Sequence, residues 1–498
     1  MKKNALIIFL FFSLLFSFIY FNKKNNRNLK EETIKILTNL EDKVYINVYM
    51  NGNLPPNFQL LQNEVNKLLN TFKSYSNKEL DFEFVSISED KNQVKKNLFS
   101  SQNIYPIWVK NKEIFHKIYP YATVNFRDNS IPLLIHNCLF YDTIDELNEN
   151  QLMQSINNLE YNFIESLYLV QQNEKKKIAF LQGNGQLDST NTWDIRNTLS
   201  KFYNVEFFDL RSFEMNKILN KPDIWKQIDR LKEYKCIIIA KPTKPFFDID
   251  KLIIDQYIMS GGRIFLLVDG TTANMNNFKE SLEFIIEENN LDLSEFLSNY
   301  GAKINKDLIL DKNCAKSPIL YENEIAYFDW QYKPILSTNK NHIIGEIKDT
   351  LLTDFVSSIT VTNNNKSSIL MSSSEKTNVK KCGEKVSLEI IKKSPVEFVN
   401  PLPTAVLLEG SFNSYYSKNT HKKLKEKIGK NKMILVSDGD IIANLHNPPN
   451  FYYPLGYYHF GRNIFDGNTN FILNSILYLC DDEILIELLN KTKLNENK

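Results

Sequence analysis

The chain has 498 residues, too many for a single hydrophobic core of ordinary size, so two or three domains are expected. Its 60 basic and 59 acidic side chains leave a formal net charge of +1, which excludes a global field that would draw in nucleic acid. With 43% hydrophobic and 24% charged residues it is not a disordered chain.

Residues 5–21, ALIIFLFFSLLFSFIYF, form an apolar run flanked by Lys2, Lys3, Lys23, Lys24 and Arg27. As a helix the run is about 25 Å long, so the expectation is a transmembrane anchor from Ala5 to Phe21. It ends Phe18-Ile19-Tyr20-Phe21, without the small-x-small site of a cleaved signal peptide. Basic residues on both flanks leave its orientation open.

After a polar spacer to Asn28 the folded part begins. Helical LKEETIKILTNL leads into the alternating strand VYINVYM, and Pro55 and Pro56 precede an amphipathic helix expected to carry Leu60, Leu61, Val65, Leu68, Leu69 and Phe72 on one face. LDFEFVSI and short strands between Ile107 and Phe140 complete a small α/β domain, 29–150, similar to a thioredoxin-type fold. It has no CxxC, so redox chemistry is not expected there. A linking helix, 151–175, follows.

From Lys177 the strands KIAFLQ, VEFFDL, CIIIAKP and RIFLLVDG are interleaved with helices at Thr192 to Tyr203 and Asp248 to Gly261, which predicts a doubly wound, mostly parallel sheet. That domain is expected over 176–300 and 409–490, where MILVSDGD and NFILNSILYLC return, with a β-rich insertion over 301–408. The expected fold class is therefore α/β: an N-terminal transmembrane helix, a small thioredoxin-like domain, then an amidotransferase-like, non-catalytic doubly wound domain.

Three features lie where ligands of such sheets bind. Gly183, Asn184 and Gly185 form a turn between strand and helix that could present N–H groups to an anion; it is neither GxGxxG nor followed by a phosphate-binding Lys, so a structural turn competes with that reading. Lys241 and Lys244 follow the CIIIA strand and could face an anionic ligand or an acidic partner, or simply solvent. Asp269, Asp438 and Asp440 end two further strands; they could hold a hard cation or serve as turn and cap residues, Asp440 standing before the helical run IIANL. No catalytic constellation, cofactor motif or metal-ligand spacing is legible: there is no GxSxG, and the histidines form no HxH or HExxH. The stretch HNPPNFYYPLGYYHF, 446–460, could stack on a sugar or pack a loop.

The ordered set NNLEYNFIESL, KIAFLQGNGQLD, IIIAKPTKPF, IDQYIMSGGRIFLLVDG, AVLLEGSF and VSDGDIIANL resembles the gliding-motility-associated ABC-transporter auxiliary, or substrate-binding-like, GldG family, from about Leu29 to Leu489. The resemblance implies a bacterial inner-membrane protein, single-pass and periplasmic, that works beside an ABC permease and its ATP-binding subunit and lacks the catalytic triad of related amidotransferase domains. The family's Gly-His-Gly-Glu turn reads Gly183-Asn184-Gly185-Gln186 here, and its C-terminal membrane helix is absent. The expectation is a non-enzymatic transporter subunit that binds a ligand or envelope component, with no nucleic-acid partner and no cofactor. The alternatives are a membrane-bound hydrolase or amidotransferase, or an envelope glycan-binding scaffold.

Overall fold

A computed structural model of the chain describes residues 29–86, 104–111, 114–136, 143–145, 148–172, 174–216, 220–279, 281–321, 324–363, 366–388, 398–418, 424, 427–449 and 451–494. They fall into two compact units, Met1–Glu174 with Glu487–Lys498, and Lys175–Ile486.

In the first unit a four-stranded sheet has the order Leu80–Phe84, Val44–Val48, Tyr121–Phe126, Asn129–Leu134. Val44–Val48 runs parallel to Leu80–Phe84 and antiparallel to Tyr121–Phe126. The period-two pattern explains the facing, because Val44, Ile46 and Val48 are buried while Tyr45 is exposed. Pro56 starts the helix Pro56–Tyr75, its fixed φ suiting the first helical position. Phe58, Leu61, Val65, Leu68, Leu69 and Phe72 are fully buried on one stripe of that helix, each contributing roughly 1.5–3 kcal/mol of apolar burial. The stripe packs against Glu149–Val170, whose start is fixed by a capping box between Asn148 and Gln151.

The second unit is built on a ten-stranded sheet. Five neighbouring strands are parallel, in the order Asn204–Asp209, Lys177–Gln182, Cys236–Ala240, Arg263–Leu267, Ile428–Val436. Cys236–Ala240 is buried at every residue, as a central parallel strand covered on both faces requires. Ile237, Ile239, Ile264, Leu266, Met433 and Leu435 point to one face, where Ile224–Leu231, Asp248–Met259 and Ser294–Tyr300 close a core. Helix Gly467–Leu479 contacts the Arg263–Leu267 and Ile428–Val436 strands. Beyond Ile428–Val436 the sheet turns antiparallel through Pro403–Asn413, Ser367–Ser372, Glu324–Thr338 and Cys314–Tyr321. A second core, Leu308, Leu310, Trp330, Tyr332, Phe355 and Val386 among others, joins Glu324–Thr338 to Asp307–Asp311 and Lys385–Ser387, strands outside the ten-stranded sheet.

One expectation needs correction. Among the described residues no helix is long and apolar enough to cross a membrane, and the architecture is mixed α/β with many sheets. The longest described helices, Glu149–Val170 and Pro56–Tyr75, are amphipathic, with apolar stripes spent on their own unit rather than on lipid. The expected helix from Ala5 to Phe21 lies outside the described residues. The N-terminal transmembrane helix in the fold class and the single-pass inner-membrane location are accordingly withdrawn.

Candidate functional site

Cys236–Ala240, Arg263–Leu267 and Ile428–Val436 are consecutive parallel neighbours, so the residues that follow their last hydrogen-bonded pairs emerge side by side. Lys241 follows the first strand, Asp269 the second, and Asp438 and Asp440 the third. The ladder continues at its end: Lys241 N–H donates to Leu267 C=O at 2.9 Å, and Val268 N–H to Val436 C=O at 2.9 Å.

The side chains meet in one cluster. Lys241 Nζ lies 3.4 Å from Asp269 Oδ2 and pairs with Asp440 Oδ2. Gly439 N–H donates to Asp269 Oδ1 at 2.6 Å. Asp438 is wholly buried and accepts two backbone N–H bonds, from Asp440 at 2.7 Å and from Asp354 at 2.9 Å. Asp440 does not cap a helix; it opens a single 3₁₀ turn, Asp440–Ile442, and its own N–H is held by Asp438.

Burial opposes the Lys241 ammonium, but the carboxylates of Asp269 and Asp440 outweigh it and raise its pKa. Burial pushes Asp269 up to about 6 against the pull of Lys241. Burial, together with the charges of Asp440 and Asp269, raises Asp438 well above the usual carboxylate range. Oxygen atoms of Asp269, Asp438 and Asp440 lie within 4.8 Å of one another, a spacing that could hold a hard cation. In this arrangement Lys241 supplies the positive charge, and a cation would have to displace its ammonium.

Gly183, Asn184, Gly185 and Lys244 are brought to a different place. Asn184 is fully buried; its C=O accepts from Thr243 and Lys244 N–H, and its Nδ2 donates to Pro245 C=O at 3.0 Å and Asp250 Oδ2 at 3.2 Å. Its own N–H donates to Gln186 Oε1 at 2.8 Å, so that donor is not offered to an anion. Gly185 has φ 70°, and a Cβ there would meet Thr243 Oγ1 at 2.3 Å. The turn is locked to the 241–245 loop, and Lys244 is exposed beside it.

Beside the carboxylate cluster a cavity of about 240 Å³ opens. Asp440, Lys333, Asp354 and Trp330 line it, and Tyr457 and Phe460 contribute aromatic wall. Lys333 Nζ is 2.7 Å from Asp354 Oδ2. Burial works against the Lys333 ammonium, yet Asp354 outweighs it and raises the pKa; burial also raises Asp354, with Lys333 opposing. Asp354 Oδ1 and the Nε1–H of Trp330, a residue 2% exposed, are buried without a hydrogen-bond partner. Sequence reasoning missed Trp330, Lys333 and Asp354; a lysine within the otherwise mostly apolar stretch DWQYKPIL is the one hint it offered.

In the 451–460 loop, Tyr452 stacks on Trp193 with ring centroids 4.6 Å apart and Tyr453 on Tyr457 at 4.5 Å. A thiolate nucleophile at Cys236 is disfavoured, because burial and the contact with Cys480 raise its pKa well above normal.

No curated protein matches the chain. Among solved structures it is similar to the mmIFT52 N-terminal domain, with 14% identity, 61% of this chain and 97% of that one covered, and a TM-score of 0.35. A putative ThuA-like protein from Parabacteroides merdae gives 8% identity, 62% and 90% coverage, and a TM-score of 0.28. The exo-β-1,4-mannosidase Op5Man5 from an Opitutaceae bacterium gives 9%, 76% and 45%, and 0.21. Residues 25–125 match a domain of unknown function. Residues 175–475, more than half of the chain, match the family described as an ABC-type uncharacterized transport system, and the chain belongs to this family of ABC-transport auxiliary components.

Proposed function

We propose that this ABC-transport auxiliary component acts without catalysing a reaction, as a subunit that joins a permease and its ATP-binding subunit and receives a small polar ligand in the cavity beside Asp440. The observation that carries the ligand reading is the cavity of about 240 Å³ there, walled by Tyr457 and Phe460 and edged by Asp440 and the Lys333–Asp354 pair. The family description and the ordered motifs support the transporter partners, and the motifs alone support a place in a gliding-associated system.

Co-purification of the tagged chain with a permease and an ATP-binding subunit tests the partner reading; recovery of neither refutes it. Thermal shift of the full chain against a panel of amino acids, amines, sugars and phosphate tests the ligand reading. A shift that disappears in Asp354→Asn supports it, and the absence of any shift counts against it.

A further inference from the structure

At the end of the parallel strands opposite the carboxylate cluster lies a buried pair of thiols. Cys236 is the first residue of Cys236–Ala240, and Cys480 closes helix Gly467–Leu479, its N–H donating to Ile476 C=O at 2.9 Å; both side chains are fully buried. Alternation along the strand decides where the first thiol points. Ile237 and Ile239 belong to the core under Asp248–Met259, so Cys236 and Ile238 face the other side of the sheet. Helix Gly467–Leu479 contacts Arg263–Leu267 and Ile428–Val436 yet contributes no residue to that core, which places it on the same side as the Cys236 thiol.

Polar contacts of the flanking residues hold the two backbones at one corner. Lys235, just before Cys236, pairs with Asp481, just after Cys480, at 2.6 Å. Arg263, the register partner of Cys236 on one side, lies 3.7 Å from the same carboxylate. On the other side Cys236 is paired with Ile178, and Lys176, two residues earlier, donates to Cys480 C=O and to Asp482 Oδ1, each at 2.7 Å. Between these fixed ends the thiols of Cys236 and Cys480 come within hydrogen-bonding contact. Two thiols in contact are one oxidation away from a covalent bond. Burial keeps them protonated and inert while the corner is closed, so an oxidant reacts as the chain folds or when the 480–483 turn lifts.

We infer that Cys236 and Cys480 form an intramolecular disulfide when the chain meets an oxidising disulfide, and that this bond locks the end of helix Gly467–Leu479 to the central strand. One thiol loses its proton and attacks a sulfur of the oxidant, releasing one thiol; the other then loses its proton and displaces the second. Two protein S–H bonds and one oxidant S–S bond are thereby exchanged for one protein S–S bond and two small thiols. The loop it closes takes in most of the second unit, Lys175–Ile486, and long closed loops restrict the unfolded chain most.

The test treats the full chain with glutathione disulfide, both folded and during refolding from urea, then blocks free thiols and maps the peptides by mass. Expected are a linked pair of peptides carrying Cys236 and Cys480, a mass lower by two hydrogen atoms, reversal by dithiothreitol, and a Tm above that of the reduced chain. Cys480→Ala and Cys236→Ala should each lose the link and the rise in Tm; mapping of the parent chain decides the matter even where a variant fails to fold. Recovery of both cysteines as blocked thiols after refolding in the oxidant overturns the inference. So does a stable mixed disulfide with glutathione at either one, or a link from either to Cys138, Cys314 or Cys382. A Cys236–Cys480 link that leaves Tm unchanged overturns the lock.

Discussion

Lys241→Met removes the ammonium that lies between Asp269 and Asp440 while keeping the length of the side chain. Lys241 has φ 50°, a strained region for both residues, so that cost cancels in the comparison. At 3.4 Å from Asp269, and with an effective dielectric of about 20, the direct attraction lost is about 5 kcal/mol. Relief of the lysine's own desolvation offsets part of this, its side chain being 21% exposed. Breaking one partner of a buried pair costs about 3–5 kcal/mol, and the partial exposure places the expected loss near the lower end, about 3 kcal/mol at pH 8. The sign of the pH effect follows from the acids left behind. Asp269 already titrates at about 6, above its ordinary 3.8, and without Lys241 its pKa rises further. A raised acid binds its proton more tightly in the folded state, so the penalty is complete above the folded pKa and fades as pH falls towards 3.8. Urea unfolding of both chains at pH 8 and pH 5 should therefore show the gap shrinking at the lower pH. A loss below about 1 kcal/mol at pH 8, or an equal loss at both values, would refute the reasoning.

Other substitutions test the surrounding structure. Gly439→Ala places a Cβ 2.6 Å from Lys241 Cβ and Cγ and should lower stability by about 1–3 kcal/mol, read as a fall in Tm; an unchanged Tm would mean the loop yields freely. Asp255 is fully buried and accepts from Tyr300 Oη at 2.6 Å, Ser414 Oγ at 2.7 Å and Tyr415 N–H at 2.7 Å, so Asp255→Ala should cost about 4 kcal/mol in urea unfolding; a loss under about 1 kcal/mol would sink the anchor role. In the first unit, burial lowers His136 from 6.5 to about 4. A depressed base contributes stability that is present above 6.5 and lost as pH falls through 4, about 3 kcal/mol in all. His136→Phe, which keeps a ring edge on Phe58, should flatten the acid limb of stability between those values. An acid limb unchanged from the parent's would show that His136 does not drive it.

Legibility in the sequence followed the range of the interactions. CIIIA and RIFLL are unbroken apolar runs, and they form fully or nearly fully buried central strands, because burial on both faces leaves no place for polar alternation. Pro56 and the spacing of Leu61, Val65, Leu68 and Phe72 announced a helix for equally local reasons. That Lys241 and Asp269 end strands was also readable. Their meeting with Asp438 and Asp440 was not, since it depends on which strands are neighbours. Trp330, Lys333 and Asp354 were hidden for another reason. In Glu324–Thr338 the consecutive residues Trp330, Gln331 and Tyr332 are all buried, so no period-two pattern separates a cavity-lining residue from a core one. Asp440 was read as standing before a helix because IIANL is apolar enough; a single 3₁₀ turn, Asp440–Ile442, forms there instead.

The parallel pairing of Arg263–Leu267 with Ile428–Val436 sets an order of events at the ribosome. Asp269 and Gly439, bonded in the finished protein, are 170 positions apart. At about 5–20 residues per second, Asp269 and Lys241 would wait on the order of ten seconds or more for their partner strand. Throughout that interval Arg263–Leu267, apolar along most of its length, presents an unpaired edge of the kind other chains can add to. A nascent chain stalled before residue 428 should therefore be far more prone to aggregate, or to need a chaperone, than one released at full length.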